Sequence, residues 1–495
     1  MSTHSGHAQK PSTSTVSTRK RRGDEERGSE ATIDPSRRDA ELDTLLTGGW
    51  DRFTRKGKKN IGVLPSFKAF MTSSWLMSFI VFIPVAWVGH YLKWNSQVVF
   101  LFCFLAVVPL EHVCDFGGEQ MALYCGKDLG DLITVTLNNA VEAALAIILL
   151  IKCELKLLQS TVLGVVILHL LLVPGVAFMA GGARQLTQEL HPHLTQLNHT
   201  LLTIGVLSLL LPAAFFAGID SIPVTAEPIV ARREEAAALI PVSDASKAVF
   251  LGMSRGIAIM LLAVYVASRI YLHNPPGEDN ILALHPLAPQ ELIEHEKKLA
   301  SAEPEVNQYV CIVVLIFTIG ILATTAEFLV ETVEFVREED SISEEWFGLV
   351  LLPFVSFAAD GFVAGLIFIG ALWKWVTNKP LPISTVARAR AIDLSIQFTL
   401  FWMPALVLLG WWSNKPLTLL FDFFEVACLL GATFLVNYVT ADSKTNWAEG
   451  FAMVAFYFMI ALTAWYYTGQ AEIKTLSQCQ SVFQALASPE AVAEH

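Results

Sequence analysis

Charge is what this sequence has little of: Asp, Glu, Lys and Arg supply 16% of its 495 residues, against about 25% in an ordinary soluble domain. A soluble fold of this length would lack the polar groups to cover its surface, so that class is excluded. With a net charge of −12 and no basic stripe beyond the N-terminal tail, a nucleic-acid binder is excluded as well. The seven cysteines form no Cys-x-x-Cys pair and keep no histidine company. They read as small buried hydrophobes, not as a disulfide framework or a zinc site. No His-Glu-x-x-His, Gly-x-Ser-x-Gly or paired catalytic Asp motif lies in an apolar run, so nothing points to an enzyme or to a resident cofactor.

What the chain does have is apolar residues, 53% of the total, in runs of roughly 20 that match a hydrocarbon layer about 30 Å thick. Thirty-one Phe and twelve Trp suit a lipid-facing surface with aromatic belts. Eleven runs can be counted, near 73–92, 97–115, 129–152, 158–182, 198–218, 246–272, 308–333, 344–374, 386–412, 416–440 and 446–468. Open sheets cannot cross lipid, so the expected fold is an all-α polytopic membrane protein with about eleven transmembrane helices. An odd count puts the termini on opposite sides.

Residues 1–70 differ from the rest: they are polar, lack an apolar run and carry Arg19-Lys20-Arg21-Arg22. They read as a disordered tail, and the basic cluster Arg52 to Lys59 predicts a cytosolic N-terminus by the positive-inside rule. The stretch 273–307 opens on Asn274-Pro275-Pro276-Gly277 and carries seven acids, with residues 287–301 suited to a short acidic helix. It separates a first transmembrane half, 71–272, from a second, 308–470, and residues 471–495 form a C-terminal tail. Five runs on each side, plus one leading helix, are what two inverted five-helix repeats would give.

Acids inside the runs mark the candidate site. A carboxylate at the bilayer centre costs at least about 2.5–3.5 kcal/mol on insertion scales. Glu142, in Asn139-Ala140-Val141-Glu142, and Asp360, in Phe357-Ala358-Ala359-Asp360, lie mid-run in the two halves, with Glu119 and Glu327 upstream. The competing reading is a carboxyl satisfied by a neighbouring helix. Asn138 and Asn139 precede Glu142 by four and three residues, on one face of a continuous helix, and would add the hard oxygens that Ca²⁺ prefers. Asp393 and Gln397 share a face in the ninth run, where a salt bridge to Arg390 is the alternative use of Asp393. His169 sits mid-way along the fourth run, a packing residue or a ligand. Pro174, Pro353 and Pro404 can break helices nearby and free backbone carbonyls. A buried carboxylate that takes either a proton or a cation is an exchange device.

Several stretches resemble the cation/proton exchanger family of vacuolar Ca²⁺/H⁺ antiporters, and the likeness covers most of residues 70–470. Leu129 to Leu150, with Asn138-Asn139-Ala140-Val141-Glu142, is similar to its first signature helix. Leu201 to Phe215, Ser254-Arg255-Gly256, Ala326 to Val330, Val436-Asn437-Tyr438 and Asp442 to Gly450 resemble later stretches. The resemblance implies Ca²⁺/H⁺ exchange by alternating access across a vacuolar or other internal membrane. It implies that Glu142 and Asp360 hold the cation between the repeats, with helper roles for Asn139, Gln397, Glu119 and Glu327. Transported Ca²⁺ and H⁺ and the lipid bilayer are then the partners; an oligomer is left open. The chain departs from the family at the site. Its second signature reads Ser356-Phe357-Ala358-Ala359-Asp360-Gly361 where the family has Gly-Asn-Ala-Ala-Glu-His. His169 replaces an Asn, and Asp393 a Gly. Two other readings stay open: exchange of Na⁺ or K⁺ for H⁺, and a transport-inactive scaffold or sensor.

Overall fold

The computed structural model of the chain describes residues 53–54, 61–125, 127–182, 187–190, 192–220, 242–273, 303–340, 343–357, 369 and 386–482. The basic tail, the acidic stretch 287–301 and Asp360 lie outside the described residues.

Helices dominate because a peptide group in hydrocarbon must find its hydrogen bond within the chain. Seven described helices are long and apolar enough to span a membrane, and up to nine if each of two bent pairs is one span. In chain order the described α-helices are α1 (Val63–Thr72) and α2 (Phe82–Tyr91), joined by a 3₁₀ turn, then α3 (Ser96–Cys125), α4 (Lys127–Asn138) and α5 (Ala140–Lys152). Next come α6 (Leu155–Ile167) and α7 (Val173–Gly182), then α8 (Pro192–Asp220), α9 (Asp244–His273) and α10 (Gln308–Asp340). The second half continues with α11 (Glu344–Trp346), α12 (Leu352–Ser356), α13 (Val386–Gln397) and α14 (Met403–Trp412). It closes with α15 (Phe423–Val439), α16 (Trp447–Trp465) and α17 (Ala471–Leu476). Each of the eleven expected runs contains described helix.

Several boundaries differ from expectation. The tail does not extend to residue 70, because α1 begins at Val63 and meets the next segment at 95°. Its Val63, Leu64, Phe67 and Met71 are exposed, an apolar face suited to the headgroup boundary. The tenth span starts at Phe423 rather than near 416, since Asp422 caps it by accepting from the Phe424 N–H at 2.9 Å. The irregular residues before it are buried, and other helices satisfy their backbone. Gln159 donates to the carbonyls of Thr418 at 2.9 Å and Leu420 at 3.0 Å, and the Leu419 N–H donates to Ser254 Oγ at 2.8 Å. Two short strands, β1 (Gln188–Glu189) and β2 (Lys444–Thr445), pair antiparallel and qualify the all-α expectation.

The cysteine reading is corrected at one pair. Cys103, Cys114, Cys311 and Cys428 are buried and free, but Cys153 and Cys479 form a disulfide with Cα atoms 6.3 Å apart. A separation of 326 residues left no spacing from which to read it.

Each of three prolines follows a five-residue π-helical turn: Leu168–Leu172 before Pro174, Phe347–Leu351 before Pro353, and Phe398–Trp402 before Pro404. Proline lacks an N–H and clashes with the carbonyl four residues back; a widened turn relieves both. The expected breaks at these prolines are therefore replaced by continuous helix with a widened turn, and Pro109 and Pro212 sit inside uninterrupted α-helices. Two helix ends share one backbone conformation. The fold interrupts α4/α5 at Asn139 with φ −97° and ψ 14°, and ends α12 at Phe357 with φ −98° and ψ 14°.

Helix ends gather in two sets. At one, His90 and Lys152 meet Glu331, at 3.6 and 2.7 Å, and buried Lys156 pairs with buried Glu425 at 3.1 Å. At the other, Tyr124 donates to the Val306 carbonyl at 2.6 Å, Asn307 bonds Ser66 at 2.9 Å, and His199 meets Thr440 at 2.6 Å. Exposed aromatics ring both sets: Tyr91, Trp94, Trp412, Trp465 and Tyr466 at the first, and Trp75, Tyr271, Tyr309, Tyr438 and Trp447 at the second. Such girdles mark the two membrane–water interfaces.

Between them α6 crosses the Phe347–Leu351 turn at a glycine pair. A Cβ on Gly164 would meet the Leu349 carbonyl and stand 2.6 Å from Pro353 Cγ, and one on Gly348 would stand 2.6 Å from Ser160 Cβ. Backbone blocks the Gly164 side, so a larger residue has no room. Gly164→Val is expected to remove the monodisperse peak in detergent size-exclusion chromatography. Gly252→Val, at a glycine facing open space, is expected to keep it.

Candidate functional site

The site forms at the α4/α5 break. A continuous helix was expected through 129–152; instead the segments meet at 57°. Asn139 is the N-cap of α5, a position where Asn is favoured, though its side chain makes no capping bond here. The same-face argument for Asn138 therefore fails: Asn138 ends α4 and is half-buried, while Asn139 is fully buried. Glu142 falls in the first turn of α5, 4% exposed, where the helix dipole favours a carboxylate.

Gln397, at the end of α13, completes the arrangement. Asn139 Nδ2 donates to Gln397 Oε1 at 2.6 Å and, more weakly, to the Val135 carbonyl at 3.4 Å. Gln397 Nε2 donates to Thr136 Oγ1 at 3.0 Å. These bonds use both amide nitrogens and leave Asn139 Oδ1 buried with no partner. An unpaired buried amide oxygen costs about 1–3 kcal/mol, and a cation would repay it. The break also leaves the last carbonyls of α4 without the partners a continuous helix would give them. Carboxylate, amide and carbonyl oxygens are the hard donors that suit Ca²⁺.

His169 lies in the π turn after α6, buried, with Nδ1 2.9 Å from the Val165 carbonyl and its ring edge-on to Phe357 at 5.6 Å. A carbonyl only accepts, so the proton sits on Nδ1 and the Nε2 lone pair remains available. His169 thus packs against Phe357 at the end of α12. Asp360 and the Arg390 side chain lie outside the described residues.

Three expected site residues go elsewhere. Glu327 pairs with Lys152 at 3.1 Å, half-exposed, at the bundle end. Lys152 is ten residues beyond Glu142, about 15 Å along the helix. Glu119 is exposed on α3. Asp393 was expected to face the ion, or else Arg390. It pairs with Arg269 of α9 at 2.9 Å, and the Arg269 guanidinium also stacks on Tyr265 at 4.8 Å. The carboxylate is thus already matched by a cation built into the chain.

Sequence reasoning missed Thr136, Arg269 and Glu111. Glu111 is 5% exposed on α3, and the Cys114 thiol lies within electrostatic reach of Glu111, Asp115 and Glu142. In-run acids were the signal for Glu111. Arg269 sat near a run's end and read as a boundary charge.

Residues 310–466 match the family model described as sodium/calcium exchanger protein. The chain is 32% identical to the vacuolar calcium ion transporter of Cryptococcus neoformans, over 85% of this chain and 79% of that protein. The chain belongs to the cation/proton exchanger family. It is also 28% identical to the vacuolar calcium ion transporter of Schizosaccharomyces pombe, over 86% of this chain and 92% of that one. Two solved structures share the fold. The native YfkE structure has a TM-score of 0.56 at 22% identity, covering 79% of this chain and 99% of its own. The H⁺/Ca²⁺ exchanger CAX has a TM-score of 0.51 at 13% identity, covering 85% and 98%. Within this exchanger fold, the Asp393–Arg269 pair ties α13 to α9 beside Gln397.

Breaking a fully buried pair costs roughly 3–5 kcal/mol. Asp393 keeps 25% of its side chain exposed, so Asp393→Asn is expected to cost less, about 2 kcal/mol. The double variant Asp393→Asn/Arg269→Gln is expected to recover most of that loss. Thermal unfolding of the four proteins in detergent checks the coupling.

Proposed function

We propose that this chain is a secondary antiporter that exchanges Ca²⁺ for H⁺ across a vacuolar or other internal membrane by alternating access. The observation that carries the reading is a mid-span helix break at which Asn139, its Oδ1 without a partner, and Glu142 are both buried. Relatives named vacuolar calcium ion transporter, and a Synechocystis relative named Ca²⁺/H⁺ antiporter at 27% identity, support the choice of ion. The Glu142 carboxyl can hold either a proton or a divalent ion. Proton and cation therefore compete for one group, and exposing it alternately to the two sides makes antiport. Each pH unit across the membrane supplies about 1.4 kcal/mol per proton.

The architecture proposed is one leading helix and two inverted five-helix repeats, eleven spans in all, with a cytosolic N-terminus. The matched dihedrals at Asn139 and Phe357, and the π turns before Pro174 and Pro404, support the repeat. Asp360 follows Phe357 by the three residues that separate Glu142 from Asn139, which supports its role as the second acid. Glu142, Asp360, Asn139 and Gln397 are the proposed ligands, with His169 beside them.

Phe357 specifically favours a second reading, exchange of Na⁺ or K⁺, because it removes an oxygen that Ca²⁺ would use. Purified protein in acidified vesicles is expected to take up Ca²⁺ with proton release. Glu142→Gln is expected to abolish both by at least about tenfold while inserting normally, since Gln keeps volume but holds neither proton nor charge. Phe357→Asn is expected to raise Ca²⁺ uptake by restoring an oxygen. Proton release on adding Na⁺ or K⁺ but not Ca²⁺ would favour the monovalent reading. Release with no ion would leave a scaffold or sensor.

A further inference from the structure

We propose that the Cys153–Cys479 disulfide forms on the luminal face, where it latches the C-terminal segment across the ends of both halves. Cys153 immediately follows α5 in a left-handed conformation, φ 69°, and Cys479 follows α17. Both sit on the bundle end that holds Lys152, Lys156 and Glu425. The Cα separation of 6.3 Å lies in the ordinary disulfide range.

The segment from Tyr467 to Val482 is bonded along its length. Tyr467 donates to Asp422 Oδ1 at 2.6 Å, and the Gln470 N–H donates to Oδ2 at 2.9 Å. Ser477 donates to Gln159 Oε1 at 3.1 Å. Lys247 donates to the carbonyls of Gln478 and Gln480, and the Val482 N–H to Asp244 at 2.8 Å. These partners belong to α6 and α9 of the first half and to the cap of α15 in the second. The segment therefore straps the halves together over the buried Lys156–Glu425 pair, and the disulfide makes one of its anchors covalent.

Sidedness rests on the orientation proposed above. With the N-terminus cytosolic, the third and eleventh spans both end on the far side, so Cys153 and Cys479 emerge together in the lumen. That is the oxidising side during passage through the secretory pathway. The bond forms by exchange with a disulfide-carrying oxidoreductase of that lumen. The two thiols give up two protons and two electrons, and the donor disulfide takes them to become a dithiol.

The test uses the full-length protein, purified with free thiols blocked by N-ethylmaleimide and digested without reductant. A linked peptide pair containing Cys153 and Cys479, lost on reduction, is expected; recovery of both as maleimide adducts would overturn the proposal. In sealed vesicles with the cytosolic face outward, permeant dithiothreitol should open the bond and a membrane-impermeant phosphine should not. Opening by the phosphine would overturn the luminal placement while leaving Ca²⁺/H⁺ exchange untouched, and loss of exchange would leave the bond untouched. Reductant is expected to lower the wild-type unfolding midpoint by roughly 5 °C and leave that of Cys479→Ser unchanged. An unshifted wild type would sink the latch, and that readout needs no variant to fold.

Discussion

Inside hydrocarbon no water is at hand to satisfy a peptide group, and this constraint decides where the chain can depart from a straight helix. Some described departures are met by named replacements. The buried residues before α15 borrow Gln159 and Ser254. The π turns absorb the carbonyls that proline would orphan. The Asn139 break stands out because its accounting is left open: two amide nitrogens find partners and one amide oxygen does not.

Charge follows the same logic. Glu327 and Glu331 can afford exposure and meet Lys152 at the bundle end, where such contacts contribute little. Lys156 and Glu425 are buried and must pair. Asp393 is neutralised by Arg269 before any ion arrives. These assignments withdraw acids from the ion path one by one.

Much of this was legible in the sequence. Run length gave helices, and in-run acids gave Glu142, because both signals are local and costly to fake. Gln397 was named through its face and the family pattern, and its bond to Asn139 joined the two halves. Other features are not local. Arg269 reaches Asp393 across 124 residues, and Cys153 finds Cys479 across 326; no periodicity encodes such meetings. The α4/α5 break was missed for a different reason. Asn carries a weak preference for caps, and only packing against α13 turns that preference into a bend.

The comparison of Asn139 with Phe357 shows how geometry and chemistry are divided. Their dihedrals agree within a degree, yet one side chain is an amide and the other a phenyl ring. A residue that forms no polar bond cannot be the cause of its own break. Pro353 and the Gly164–Gly348 crossing lie in and beside the helix that ends at Phe357. The scaffold therefore holds its shape while the ligand set changes. In the first half Asn139 adds oxygen to that shape; in the second, Phe357 packs its ring against His169. The two positions thus share a backbone conformation and differ in side-chain chemistry, an amide at one and a ring packed on an imidazole at the other.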